Sequence, residues 1–397
     1  MLNRQILSII GRNYELFSDD LQNLRGEINY KVSNSRFLVI GGAGSIGQAV
    51  VREIFSRRPL KIHVVDINEN NLAELVRDLR SSFGYIKGDF QTFCLDVGSL
   101  EFECLLEKDC GYDYVLNLSA LKHVRSEADP YTLMRMISVN IINTNKTLEY
   151  FAHKGVEKYF SVSTDKASNP VNLMGASKLI MEKFIANKSK KLNTSSARFA
   201  NVAFSDGSLL HSFNQRIKKN QPIVAPNDIN RYFITPKESG ELCLLSSLFG
   251  NNLDIFFPKL NRNKDLINFS TIAITYLKSI GYEPLICYSE KEAREKIKFI
   301  EQNKWPCLFS ESDTTGEKDE EEFHTKEEVI DLKTFKTIGI IKNTHNFDEK
   351  KLSEFLSNIN RLQRNKKWSK YEIVELFRDL IPEFNYFDKR KYLNEKM

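Results

Sequence analysis

Thr164-Asp165-Lys166 sets a hydroxyl, a carboxyl and an amine side by side, and after seven residues comes Met174-Gly175-Ala176-Ser177-Lys178. Such groups give and take protons, which is the work of general acid–base catalysis. The apolar run Tyr159 to Val162 ahead of them reads as a strand, and the residues from about Gly175 to Lys188 read as an amphipathic helix. In an open parallel sheet, ligands bind in the loops that leave the strands' carboxyl ends. Whether the three side chains stand in such a place depends on what precedes them.

What precedes them is a regular alternation. Arg36-Phe37-Leu38-Val39-Ile40 is a short apolar strand that runs into Gly41-Gly42-Ala43-Gly44-Ser45-Ile46-Gly47 and then a helical run, Gln48 to Phe55. Gly41 permits a tight turn, Gly44 lets a pyrophosphate approach the backbone, and Gly47 lets helix and strand pack closely. The free amides and the dipole at the helix start favour phosphate. A second apolar run, Ile62 to Val65, ends in Asp66, nineteen residues past Gly47. An acid there accepts hydrogen bonds from ribose hydroxyls and repels a 2′-phosphate, so NAD is expected over NADP, with Arg57 and Arg58 speaking for the other. The bland alternative for Asp66 is capping of a helix that begins near Asn68.

A helix from about Asn71 to Ser82 and a third strand, Gln91 to Val97, follow; its Asp96 could reach an adenine edge. Tyr112 to Ala120 reads as the fourth strand, Leu133 to His153 as a long helix containing Asn140, and Lys158 to Val162 as the fifth strand. Strands alternating with helices predict an α/β fold, a doubly wound parallel sheet of the Rossmann type. The expected organisation is an N-terminal helical extension over 1–33 and a Rossmann domain over 34–190, to which parts of 191–240 return. A smaller substrate-binding lobe over 191–330 and a C-terminal helical region over 331–397 complete it.

The glycine segment, Asn117-Leu118-Ser119-Ala120-Leu121-Lys122-His123-Val124, Ser163-Thr164-Asp165-Lys166-Ala167, Met174 to Lys178 and Arg198-Phe199-Ala200-Asn201-Val202 occur in the order seen in extended short-chain dehydrogenases/reductases. Over residues 34 to 240 the chain resembles nucleotide-sugar 4,6-dehydratases of the polysaccharide-biosynthesis type. More loosely, Phe323-His324-Thr325-Lys326-Glu327-Glu328 resembles the soluble branch serving legionaminic-acid-like sugar pathways, and the role implied is bacterial surface-sugar biosynthesis of the legionaminic acid or bacillosamine type. The resemblance implies an NAD site at Gly41, Gly44, Ser45, Ile46, Gly47, Asp66, Asp96, Val97, Ser119, Ala120, Asn140 and Lys178. It implies catalysis by Thr164, Asp165, Lys166 and Lys178, and substrate contacts at Lys122, His123, Met174, Asn201, Ser208 and Arg231. For His123, simple packing is an equal alternative. Where short-chain dehydrogenases carry the tyrosine of Tyr-x-x-x-Lys, this chain has Met174, whose thioether exchanges no proton. The resemblance places Met174 with a branch whose product keeps its C5 configuration.

A 4,6-dehydratase moves a hydride from sugar C4 to NAD, removes the acidified C5 proton, expels the C6 hydroxyl as water and returns the hydride to C6. Asp165 is the expected acid and Lys166 the expected base, both needed in the neutral form. Burial would raise the acid and lower the amine, and the positive charges of Lys178 and oxidised nicotinamide would lower Lys166 further. A direct ion pair would oppose this, so the two side chains are expected to diverge without substrate. Thr164 would relay the C4 hydroxyl proton to an acceptor that the sequence does not name.

Composition sets the outer limits. The 397 residues, 41% hydrophobic, suffice for two or three domains, and a net charge of +5 without a dense basic stripe gives no reason to expect nucleic acid. Cys94, Cys104, Cys110, Cys243, Cys287 and Cys307 show no metal-binding spacing and read as buried or half-buried free thiols. Neither a cleavable leader nor an 18-residue apolar run is apparent, so a soluble cytoplasmic protein is expected, with no membrane contact and no metal. The family implies a nucleotide-sugar substrate, carrying uridine or guanosine, and a homo-oligomer, dimer or tetramer. Residues 285–328 read as charged and irregular, with Asp319-Glu320-Glu321-Glu322 a solvated loop. The N-terminal 2–30 reads as two short helices without chemistry. Asp348–Gln363 and Lys370–Phe377 read as helices ahead of a basic tail, Asp388–Lys391. The alternatives to a dehydratase are a 4-epimerase on the same fold and a non-catalytic nucleotide-binding protein.

Overall fold

The computed structural model describes residues 2–109, 111–313, 316, 318, 320–343, 347–389 and 391; Cys110, Asp319 and Arg390 lie outside the described residues. In chain order the strands are β1 (Arg36–Ile40), β2 (Lys61–Asp66), β3 (Asp89–Cys94), β4 (Tyr114–Asn117), β5 (Lys158–Thr164), β6 (Thr194–Phe199), β7 (Asn201–Val202) and β8 (Ile223–Pro226). They continue with β9 (Asn230–Ile234), β10 (Asp254–Pro258), β11 (Leu266–Asn268), β12 (Glu283–Cys287), β13 (Lys304–Ser310), β14 (Ile330–Asp331) and β15 (Ile338–Lys342). A nine-stranded sheet runs β14-β15-β10-β6-β5-β4-β1-β2-β3. From β3 to β10 every pair is parallel, and β15 and β14 add an antiparallel edge. This is the Rossmann-like α/β architecture expected. The strand order reverses between β1 and β4, which opens a crevice between the loops after them.

The inner strands are apolar runs because both faces are covered: four of the five residues of β1 and all of β4 are buried. On one face lie the helices Ser45–Phe55, Ser18–Ser33 and Pro236–Phe249, whose Val50, Val51, Ile54, Val32 and Leu244 join the core with Phe37, Val39 and Phe256. The N-terminal helices are therefore two, Asn3–Ile9 and Ser18–Ser33, the second longer than expected. Between them Arg12, buried, forms a double hydrogen bond with the carboxylate of Glu238.

The helix Leu173–Lys188 lies against β5 and is buried nearly all round, since a second layer covers its outer side. That layer is the pair Glu349–Asn365 and Lys370–Leu380, which brings Leu352, Phe355, Ile359, Ile373 and Phe377 against Leu173, Ile180 and Phe184. The long helix expected over 133–153 is Pro130–Ile137 and Asn143–Phe151 joined by one wider π turn, Ser138–Ile142, that carries Asn140.

Three expectations need correction. Residues 285–328 are not irregular throughout: β12 and β13 pair in parallel and β13 pairs with β8, so this stretch supplies most of two strands of a separate three-stranded sheet. The region after residue 331 is not wholly helical, because β15 lies along β10. Cys94 and Cys104 are exposed rather than buried, while Cys243, Cys287 and Cys307 are buried free thiols.

Candidate active site

Thr164 ends β5, and its backbone is still extended when the chain turns into a single 3₁₀ turn, Asp165–Ala167. The turn has to be tight because the next helix is seated directly on it. A Cβ on Gly175 would lie 2.3 Å from the Lys166 carbonyl oxygen, so only glycine permits this approach. Asn172 caps that helix by accepting from the Gly175 amide at 2.8 Å, which fixes where Met174 and Lys178 emerge.

Three of the four expected catalytic side chains, Thr164, Asp165 and Lys166, touch one another. Thr164 Oγ1 donates to Asp165 Oδ1 at 2.8 Å, and the same oxygen accepts from the Lys166 amide at 2.9 Å and from Lys166 Nζ at 3.2 Å. The expected divergence of Asp165 and Lys166 is thus wrong: a buried carboxylate and a half-buried amine do better paired than apart. Burial alone would lower the Lys166 pKa, but Asp165 and Glu321 more than offset it, and the amine is held above its ordinary value. Glu321 is the unforeseen member. Its Oε1 lies 3.4 Å from Lys166 Nζ, and its side chain is buried, which corrects the solvated-loop expectation for this residue. Asp165 Oδ2 and Glu321 Oε2 are both buried with no hydrogen-bond partner among the described residues.

A cavity of about 450 Å³ opens over this cluster. Its wall includes Gly41, Gly44, Ser45, Ile46, Gly47, Ala120, Lys122, His123, Thr164, Asp165, Lys166, Met174, Lys178, Asn201 and Ser208. Lys178 is buried and donates to the Val162 carbonyl oxygen at 3.0 Å; desolvation brings its pKa down to about 8. Lys122 donates to Ser205 Oγ at 3.3 Å, and burial lowers its pKa as well. Burial, then the charges of Lys122 and Arg125, lower that of His123, which favours a neutral ring at the wall. Ser208 caps the helix Leu209–Lys218, and Asn201 donates to the Tyr232 carbonyl at 3.3 Å.

The glycine segment forms the other end of the cavity. A Cβ on Gly47 would sit 2.2 Å from the Gly41 carbonyl oxygen, whereas one on Gly44 would meet only that oxygen, at 3.6 Å, so Gly44 keeps an open face. Gly44 also precedes the helix Ser45–Phe55, whose first amides are available to an anion. Asp66 accepts from the Ala43 amide and the Asn68 amide, both at 2.9 Å, and braces the segment. It is not the helix cap: Asn68 itself accepts from Asn71. These features fit a dinucleotide: an open glycine cradle, a helix start and an acid at the tip of β2.

Several expected residues stand behind the wall. Asn140 is fully buried, its amide exchanging hydrogen bonds with both backbone groups of Leu121 and donating to Ser177 Oγ at 3.0 Å. It ties the loop after β4 to the Met174 helix. Ser119 is held by Asn117 Oδ1. Asp96 accepts from the Gly98 amide and pairs with Arg135 at 2.6 Å in a separate shallow hollow, with Val97 beside it in sequence; neither lines the main cavity. Arg231 is buried on β9 and donates to the Lys318 carbonyl at 2.8 Å rather than facing the cavity.

Besides Glu321, sequence reading missed Glu127. It is buried, accepts from the Met174 amide at 2.8 Å, and burial pushes its pKa up to about 7. Nothing local in the sequence marks it out.

Residues 37–343 match the model of a family described as polysaccharide biosynthesis protein. An uncharacterized membrane protein, MJ1061 of Methanocaldococcus jannaschii, is 31% identical over 330 residues, 81% of this chain and 91% of that protein. Among the described residues, no helix is long and apolar enough to cross a membrane. A UDP-N-acetylglucosamine 4,6-dehydratase (inverting) of Campylobacter jejuni is 28% identical over 57% of this chain and 68% of its own length. A UDP-glucose 4-epimerase of Rickettsia bellii is 30% identical over 56% and 65%. Among solved structures, Pen from Bacillus thuringiensis superposes with a TM-score of 0.63 at 22% identity, covering 78% of this chain and 88% of Pen, a likeness of fold.

Proposed function

The chain belongs to the polysaccharide biosynthesis protein family, and from that membership we propose that it is an NAD-dependent 4,6-dehydratase of a nucleotide-linked N-acetylglucosamine, with retention at C5. The observation that carries the reading is the contact of hydroxyl, carboxylate and amine in Thr164, Asp165 and Lys166 at the cavity, with Met174 where a tyrosine base would stand.

Gly41, Gly44, Ser45, Ile46, Gly47 and Asp66 would hold the dinucleotide, with Lys178 toward its nicotinamide ribose. Held there, NAD would supply the hydride chemistry, the transfer from C4 and its return to C6. The chain's own residues handle the protons. Thr164 takes the C4 hydroxyl proton and passes its own along the 2.8 Å hydrogen bond to Asp165 Oδ1, so Asp165 is the acceptor left unnamed by the sequence. Loading Asp165 in this way makes it the neutral acid that the next step needs. It then protonates the C6 hydroxyl as Lys166 removes the C5 proton, and water leaves. Lys166 later returns a proton to the same face of C5, which keeps the configuration. Lys122 offers positive charge to a diphosphate.

The test is incubation with UDP- and GDP-N-acetylglucosamine in deuterated water, read by mass and NMR. Loss of one water with a single deuterium at C5 and unchanged C5 configuration is expected. An unchanged mass with a new C4 epimer would overturn the reading in favour of an epimerase. Turnover of neither nucleotide would favour a binding protein.

A further inference from the structure

Lys166 has one carboxylate more than the dehydration needs. If Asp165 is loaded by the C4 hydroxyl and Lys166 must take the C5 proton, the ammonium must first lose a proton, and its surroundings hold that proton tightly. The second carboxylate comes from far along the chain. After β13 the chain crosses back over the cluster, with the Gly316 carbonyl accepting from Asn172 at 2.9 Å and Lys318 Nζ donating to the Ser168 carbonyl at 3.0 Å. Arg231 holds the Lys318 carbonyl, and Arg198, buried between Glu182 and Glu328, holds the Phe323 carbonyl at 2.9 Å. Glu321 is thereby delivered with Oε1 at 3.4 Å from Lys166 Nζ and with Oε2 buried and unpartnered among the described residues. The charged groups facing it are Lys166 and Asp165 on the turn after β5, Arg231 on β9 and Lys318 on its own segment.

We propose that Glu321 is a positioning residue for the base: it takes the surplus proton of Lys166, so that the lysine meets the C5 proton as a free amine. The inference rests on the dehydratase reading. An N–H bond of the ammonium breaks and an O–H bond forms on Glu321, leaving the lone pair on Nζ. That pair takes the C5 proton, the C5–H electrons form the C5–C6 double bond, and the C6–O bond breaks as Asp165 supplies the proton that makes water. When Lys166 has given its proton back to C5, the Glu321 proton returns to it and the resting cluster is restored. A buried carboxyl with a spare oxygen suits this, because desolvation makes it hold a proton more readily than an exposed glutamate would.

The alternative is that Glu321 merely stabilises the charge of Lys166, and the two roles predict opposite pH behaviour. Without Glu321 as acceptor, Lys166 must lose its proton to solvent, so Glu321→Gln should lower kcat at neutral pH by at least ~100-fold. The rising limb of its pH profile should move to higher pH, and the isotope effect from C5-deuterated substrate should increase. Glu321→Asp, which keeps the carboxylate, should recover at least ~10-fold of the loss. If Glu321 only stabilises charge, removing it makes the amine less basic, and the limb moves to lower pH with kcat kept or raised; that result overturns the inference. So does an equal loss in both variants with an unshifted profile. Wild-type protein that dehydrates neither nucleotide sugar would instead overturn the functional reading itself, which keeps the two failures apart.

Discussion

The ammonium of Lys178 is bonded to the carbonyl oxygen of Val162 at 3.0 Å, which ties the helix Leu173–Lys188 to β5 two residues before Thr164. Desolvation lowers its pKa from 10.5 to about 8, so the folded chain holds this proton less well than the unfolded chain does. Stability should accordingly rise as pH increases from about 8 toward 10.5. Lys178→Met, similar in volume and uncharged, should raise the melting temperature at pH 7 while weakening NAD binding roughly tenfold to a hundredfold, the loss of hydrogen bonds from a charged donor. Calorimetry of unfolding and of NAD binding reads both; unchanged NAD affinity would remove Lys178 from the cofactor site.

Asp165→Asn and Lys166→Ala should each slow dehydration at least ~100-fold, in the range that general acid–base groups contribute. Thr164→Val, which keeps the shape and removes the relay, should enlarge the isotope effect from C4-deuterated substrate. Wild-type rates in the Asp165 and Lys166 variants would take both residues out of the mechanism.

Met174→Leu should keep kcat within about tenfold, because a volume-conserving swap costs under ~1.5 kcal/mol and the thioether handles no proton. A much larger loss in steady-state kinetics would give the sulfur a role that the proposed chemistry does not.

Glu127 is the internal brace of the Met174 amide, and burial raises its pKa to about 7. The folded chain binds its proton more tightly than the unfolded chain, so its contribution is full below about pH 4.5 and is lost as pH rises through about 7. Glu127→Gln keeps a carbonyl acceptor without the charge and should be the more stable protein above pH 7. Urea titrations at pH 5 and pH 8 measure the difference.

Arg12 and Glu238 bind the N-terminal segment to the helix Pro236–Phe249 through a buried double hydrogen bond, and Glu238 also closes the capping box of that helix with Thr235. Arg12→Ala leaves the carboxylate buried and unpaired and should cost about 3–5 kcal/mol in chemical denaturation. A loss under ~1 kcal/mol would mean that water reaches Glu238.

The central sheet and one half of the site could be read from sequence because they are local. The glycine segment, Asp66 and Thr164-Asp165-Lys166 each lie where a strand ends, and periodicity finds strand ends even when it misplaces them by a few residues. What escaped was set by distant contacts. Glu321 sits in a run of acids that reads as solvated, and only its crossing over Asn172, Ser168 and Arg231 buries it. The strands β12 and β13 each contain a proline, Pro284 and Pro306, which counts against a strand in sequence although the lobe's small sheet tolerates both. The resemblance implies Asn140 at the cofactor; its direction, toward Leu121 and Ser177, is set by a wide helical turn that depends on packing and that the sequence does not mark. The contact of Asp165 with Lys166 runs against the divergence expected without substrate, because a buried carboxylate is stabilised by an adjacent amine.

The pair of helices Glu349–Asn365 and Lys370–Leu380 forms the outer seat of the helix that carries Met174 and Lys178. In the order of synthesis this means that the helix Leu173–Lys188 leaves the ribosome well before its cover does. Until residues 349–380 emerge, Leu173, Ile180 and Phe184 stay uncovered, and a nascent chain in that interval is the form most exposed to chaperones and to association with its neighbours. Glu321 also follows that helix in the chain, so its contact with Lys166 forms only after the helix has been made.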